Sequence, residues 1–473
     1  MQKMLLCTLL SALGWYPLLA RNIRVSTPKM EITDSGTFLR FTVSWDNAWQ
    51  NSKNHDAAWV FIKYKSNDPN AGARHCLLNA QGHQMLSKLP ANLPNPALKV
   101  SPDHVGVFVH SSQPYRGHVQ WELQLSLNPR GSGIMEQLPG EWSVQALEMV
   151  FVPAGAYYLG DPDTTSRSAA AFFGNTPNSM YQVKQENQVI NIGSQPEQLN
   201  YRSDQAIYQG DRQGPVPASF PKGVQAFYIQ KYEINQGTYA SFLNSLGAQS
   251  SYFRNNFGGK NYAQSRGSIG LDNGQYSAKS PQRPLNFVSW DDGCAFADWA
   301  GLRPMTELEF EKACRGPEVP IAHQFPWGTG NKKDLARYVD RDDELKLKTG
   351  IDEAQLSDQN RAVFAASYWW VMDLAGSLWE RVVSIGHPTG RAFKGSHGDG
   401  RLSGYGYATN DDWPRGDDER NGGFGYRGGG YYEHGKPETD FNPHSPISWR
   451  NFAAWAGGPR SIAYGFRCVR TAP

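Results

Sequence analysis

The sequence predicts an α+β protein in two parts: an N-terminal Ig-like β-sandwich, then a larger domain with few regular elements. Three observations predict it. Apolar and polar residues alternate in short runs from Ile23 to Leu127, the signature of half-buried strands. Between Tyr232 and Arg315 the spacing becomes helical, with start and stop residues in the right order. The 473 residues include 48 Gly and 30 Pro beside 15 Trp and 22 Tyr, so the chain is rich in loops but carries far more ring surface than a disordered one.

The first twenty residues have the layout of a secretory signal, with Lys3, an apolar run from Met4 to Leu19 broken by Gly14 and Pro17, and a small residue at Ala20. An exported protein is expected, periplasmic, on the outer surface or secreted, with no transmembrane segment beyond this signal. Residues 21–128 then form the sandwich. Its strands are Phe38–Trp45, Ala58–Lys65, Val105–His110 and His118–Leu127, separated by Asn, Asp, Gly and Pro. Gly and Pro punctuate the stretch from Pro129 to Gly140, which predicts a linker over residues 129–146.

The second domain is expected over residues 147–473, opening on a strand that includes Met149-Val-Phe-Val-Pro. Tyr239, Phe242, Leu243 and Leu246 lie at helical spacing after Asn235, a capping residue. Trp290, Cys294 and Ala297 define a second helix beginning near Ser289. A third starts at Thr306 with Glu309 three residues on, a capping box, and ends at Arg315, Gly316 and Pro317. Beyond Gly386 the periodicity fades while Gly and aromatic residues persist, predicting ordered loops of the kind that carry function.

Lys plus Arg (46) nearly balances Asp plus Glu (44), so the whole chain lacks the basic footprint of a nucleic-acid partner. Cys76, Cys294, Cys314 and Cys468 follow the signal. They allow three complete pairings or none, and lack zinc-ribbon or C-x-x-C spacing. Glu433, His434, Asp440 and His444 offer hard and imidazole ligands that could hold a non-haem metal, although the polar, Pro-containing loop also reads as solvated surface. Ser396 and His397 are adjacent within a Gly-rich turn, and turn chemistry explains the glycines better than a catalytic pair does. Tyr405, Tyr407, Trp413, Tyr431, Tyr432, Glu433, Trp449, Arg450 and Trp455 are the candidate ligand surface, since rings on ordered loops bury large area at low entropic cost.

Several segments together resemble the formylglycine-generating enzyme (sulfatase-modifying factor) family: Met149-Val-Phe-Val-Pro-Ala-Gly, Tyr232-Glu-Ile-Asn, Pro284 to Trp290, Arg303 to Gly316, Phe325-Pro-Trp-Gly, Met372 to Glu380, Arg427-Gly-Gly-Gly and Gly465-Phe-Arg-Cys. The resemblance implies a variant of the C-type lectin fold. It also implies, for active members, oxidation of a substrate cysteine with copper held by two cysteines, the first following the Arg-Gly-Gly strand. Here that strand runs through Tyr431 and Tyr432 to Glu433, and no Cys lies between Cys314 and Cys468. Copper is therefore not expected. The resemblance further implies calcium oxygens from Gly376-Ser-Leu-Trp-Glu380, where Ser377 replaces the family's usual Asn, making Glu380 the candidate ligand. Cys314 and Cys468 match positions that form disulfides in some relatives, and with Ala297 in a partner's place the expected bridge is Cys294 to Cys468. The resulting expectation is an exported, non-catalytic binding or assembly protein with a protein or glycan partner. The alternative is a metal-dependent oxidoreductase using Glu433, His434 and His444.

Overall fold

The computed structural model describes residues 23–86, 88–90, 92–134, 140–175, 180–204, 208–255, 262–339, 345–347, 351–416, 422–430, 444–458 and 460–473. It is mostly sheet with few helices. The principal strands are β1 (Gly36–Gln50), β2 (Asp56–Ser66), β3 (Arg74–Leu78), β4 (Gly106–Ser111), β5 (Tyr115–Asn128), β6 (Gly140–Val152) and β7 (Phe227–Gln230). They are followed by β8 (Arg303–Pro304), β9 (Trp379–Val383), β10 (Phe424–Arg427), β11 (Tyr464–Gly465) and β12 (Cys468–Thr471). One hydrogen-bonded path, antiparallel throughout, runs β1-β5-β3-β2-β6-β7-β12-β8. It crosses without interruption from the N-terminal strands into the second domain.

Strand β6 makes that crossing. Residues 140–146, expected as linker, instead begin this 13-residue strand. Gly140 to Val150 pair with β2, and Met149 to Val152 with β7. The correction has a visible cause: Trp142, Val144 and Ala146 alternate with Glu141, Ser143 and Gln145, a period-two pattern that outweighs the neighbouring Gly and Pro. Pro129 to Ile134 form a turn whose Ile134 is buried in the N-terminal core.

Strand β2 explains why the two parts do not separate. Its Ala58, Val60, Ile62 and Tyr64 face the N-terminal core, where Leu39, Phe41 and Val43 of β1 meet Trp121, Leu123 and Leu125 of β5. Its Ala57, Trp59 and Phe61 face the other way, into the core of the second domain. There the Trp59 indole donates to the Ala300 carbonyl at 2.8 Å, and Phe61 meets Trp299 edge-on at 5.2 Å. A strand buried on both faces reads as a continuous apolar run, and Ala57-Ala-Trp-Val-Phe-Ile is one. The sheet containing β2, β4 and β6 is thus a shared middle layer.

Lys63 interrupts that run inside the protein. It is fully buried, lies 5.3 Å from the Trp299 ring centroid, and has His75, Asp298 and Asp399 as its titratable neighbours. Burial pushes its amine down to about 7 from an ordinary 10.5. Between these values the unfolded chain binds the proton and the folded chain does not, so stability rises with pH across that window. Urea denaturation of the parent and of Lys63→Met, at intervals from about pH 7 to 10, should show that rise in the parent and a flatter dependence in the variant. Parallel curves would refute the assignment.

The helices begin where their caps predict. Helix α1 (Gln236–Ser245) starts with the Asn235 side chain accepting from the Thr238 N–H at 2.8 Å. It is followed by α2 (Ala248–Arg254), which the periodicity does not reveal. Ser289 and Asp292 cap α3 (Trp290–Trp299) reciprocally. Thr306 and Glu309 do the same for α4 (Glu307–Arg315), with N–H to oxygen distances of 3.0 and 3.1 Å. Gly316 ends α4 at φ +67°, against the Tyr368 ring where a Cβ has no room.

Candidate ligand cleft

The loops after Gly386 rest on a buried ionic frame centred on α4. Glu307 receives both Nε and Nη2 of Arg450, at 2.7 and 3.0 Å, and lies 3.3 Å from Nη1 of Arg427. Arg427 also reaches Glu311 at 2.9 Å. Glu307, Glu311, Arg427 and Arg450 are all fully buried. Arg450 is therefore corrected from ligand surface to scaffold. Its guanidinium lies 3.7 Å from the Phe172 centroid and donates to the Ala170 carbonyl.

Glu380, the candidate calcium ligand, is held in a second buried pair. Glu380 gives both carboxylate oxygens to Arg467, with Nε at 2.9 and 3.0 Å and Nη2 at 2.6 Å. Both groups are buried. Among the described residues, no three His, Cys, Asp or Glu side chains converge to hold a metal ion. Tyr431, Tyr432, Glu433, His434 and Asp440 lie outside the described residues. His444 is half-buried and meets Trp327 edge-on at 5.7 Å.

The expected Cys294–Cys468 bridge is not formed: among the described residues all four cysteines are buried thiols. Cys294 and Cys468 pack in the same apolar core, where a thiol behaves as a small apolar group. His397 and Ser396 do not act together. The His397 Nε2 accepts from the Thr471 N–H at 3.0 Å, while the Ser396 hydroxyl donates to Asp412.

The open site lies where α3 meets residues 403–416. A cleft of about 610 Å³ is lined by Asp291 and Cys294 of α3 and by Ser403, Tyr407, Trp413 and Arg415, among others. Helix α3 holds this loop by a carboxylate near each end. Asp298 accepts from the N–H groups of Asp399 at 2.9 Å, Gly400 at 3.0 Å and Thr409 at 3.1 Å, and Asp291 accepts from that of Gly416 at 3.2 Å. Burial raises the Asp298 carboxyl to about 6, against the pull of those donors.

The aromatic candidates divide by burial. Trp413 is 3% exposed, its indole N–H fixed to the Ser396 carbonyl at 3.0 Å, so it forms cleft wall. Trp455 is half-buried in a cluster with Tyr426, Phe452 and Tyr464. Trp449 is exposed, as expected. Tyr405 and Tyr407 are 53% and 41% exposed. Sequence reasoning missed their supports on α2: Phe253 braces Tyr405 edge-to-face at 5.1 Å, and the Arg254 guanidinium lies 4.4 Å from the Tyr407 centroid. Adjacent Tyr252, Phe253 and Arg254 on a short segment without helical periodicity gave no signal of that role.

Fold and site together define a helix-poor α+β protein with a preformed cleft on an ordered-loop scaffold. Residues 136–472 match the sulfatase-modifying factor enzyme 1-like domain, and the chain belongs to that family. It is 26% identical over 129 residues to the formylglycine-generating enzyme of Bos taurus, covering 22% of this chain and 34% of that enzyme. With the formylglycine-generating enzyme of Mus musculus it is 26% identical over 183 residues, 33% of this chain and 48% of that one. With the hercynine oxygenase of Mycobacterium tuberculosis it is 42% identical over 52 residues, 11% and 12%. The chain thus spans about a third to a half of these two formylglycine-generating enzymes.

Proposed function

We propose that this chain is an exported, non-catalytic binding protein that uses the α3 cleft and its tyrosines as a ligand surface. The observation that carries the reading is a preformed cleft lined by Tyr407 and Trp413 in a chain with no cysteine between Cys314 and Cys468. Soft thiolates suit Cu(I), and the Glu433 carboxylate that follows the Arg-Gly-Gly strand is a hard ligand. Lys3 and the apolar run behind it support export. The same reading takes the N-terminal layers as an Ig-like sandwich and the remainder as a C-type lectin variant. Two antiparallel sheets closing on one core and the scarcity of regular elements support that assignment.

Incubation with Cu(I), oxygen and a cysteine-containing sulfatase peptide should leave the peptide's mass unchanged. Conversion of its cysteine to formylglycine, read by mass spectrometry, would overturn the non-catalytic reading.

A further inference from the structure

Resting on that binding reading, we infer that the α3 cleft takes a neutral oligosaccharide that stacks on Tyr407 in the cleft lining, extends onto Tyr405 two residues away on the same turn, and is hydrogen-bonded by the Asp411 and Arg415 side chains. The rings are presented in the manner a pyranose requires. Tyr407 has Arg254 packed against it and remains 41% exposed, which offers a held aromatic surface to the C–H face of a sugar. Tyr405 is braced by Phe253. Both tyrosines sit on a turn closed by Gly406 N–H to Ser403 O at 2.8 Å, Tyr407 N–H to Ser403 Oγ at 3.1 Å and Ser403 N–H to Tyr407 O at 2.9 Å. A platform ordered before binding avoids much of the entropy cost of association.

The charges favour a neutral ligand. Asp411 and Arg415 are exposed and stand 3.5 Å apart, and Asp291, the other charged side chain of the lining, already accepts from the Gly416 N–H, so the cleft offers no surplus cation to an anionic ligand and each exposed charge faces its opposite. Arg415 Nη2 is held by the Thr409 and Asn410 carbonyls, so the pair presents the Asp411 carboxylate beside the Nε and Nη1 donors of Arg415, a match for vicinal hydroxyls. The main chain argues against an extended peptide. The N–H groups of Tyr407, Thr409 and Gly416 and the carbonyls of Thr409 and Asn410 are engaged within the protein. These groups are not available for the main-chain pairing that strand addition uses. A volume of about 610 Å³ lies within the usual range for small-ligand sites.

The test is a glycan array probed with the full chain, followed by calorimetry of the best neutral glycan against the parent, Tyr407→Ala, Tyr405→Ala and Tyr407→Phe. We expect binding at least about tenfold weaker in each alanine variant, near-parent binding in Tyr407→Phe, and unchanged thermal melting. Glycan binding that survives both alanine substitutions, or that is confined to sulfated or sialylated glycans, overturns the inference. A random peptide phage library panned in parallel separates the two levels. No glycan binding, with peptides captured in a Tyr407-dependent way, overturns the oligosaccharide while keeping the cleft as a binding site. Silence in both arms overturns both.

Discussion

Glu307→Gln should lower the stability of the protein by about 3–5 kcal/mol or prevent its folding, the cost of breaking a buried ion pair from one side. The carboxylate is fully buried and receives Arg450 through two nitrogens and Arg427 through a third. It also accepts from the Ile385 N–H at 2.9 Å. An amide of the same shape leaves two guanidinium groups in the interior with less negative charge than they need. Arg450 suffers most, since Arg427 retains Glu311 at 2.9 Å. The double variant Glu307→Gln with Arg450→Met should recover part of the loss, because it also removes the stranded charge. Urea denaturation followed by tryptophan fluorescence measures both. A Glu307→Gln midpoint equal to the parent's would show that the frame contributes nothing.

Trp59→Ala is the second large effect, with an expected cost of about 3–5 kcal/mol from the lost ring and the cavity left behind. The ring touches both halves of the protein: it belongs to β2, packs on Phe108 at 4.6 Å and donates to Ala300 at the end of α3. For the same reason the whole chain should melt in one transition in differential scanning calorimetry, and Trp59→Ala should shift that transition without splitting it. Two resolved peaks in the parent would mean that the layers fold independently. A fragment covering residues 147–473 should fail to melt cooperatively, because it leaves Leu147, Met149 and Val150 without their β2 partners Trp59, Ala57 and Asp56.

Local chemistry was legible in the sequence, and long-range pairing was not. Asn235 and Thr306 cap the helices they were expected to cap, and the helix expected to begin near Ser289 does so, because a cap involves residues two or three positions apart. The strands expected at Phe38–Trp45, Ala58–Lys65, Val105–His110 and His118–Leu127 lie within observed strands or overlap them, because short-range spacing is also local, whereas Arg74–Leu78 gave no such signal. The linker was misplaced because Gly140 was weighted above the alternation that follows it. Arg450 was misassigned because its environment is made by Glu307, distant in the chain, and by Phe172, further still. An arginine among aromatic loop residues reads alike whether it faces water or a buried carboxylate. Trp413 does line the cleft, but its near-complete burial was equally hidden, since its indole is satisfied by a carbonyl on a neighbouring loop. The exposure of Tyr405 and Tyr407 was expected, whereas their bracing by α2 required the fold.

The two carboxylates of α3 hold the cleft loop through its main chain. Asp298 grips the N–H groups of Asp399, Gly400 and Thr409, and Asp291 that of Gly416, and every residue except proline supplies that group. The path of the loop and the identity of what it displays are therefore set by different parts of the sequence. Side chains such as Tyr407 and Asp411 can be exchanged without releasing these anchors, so substitutions there should change the surface of the cleft while keeping its geometry.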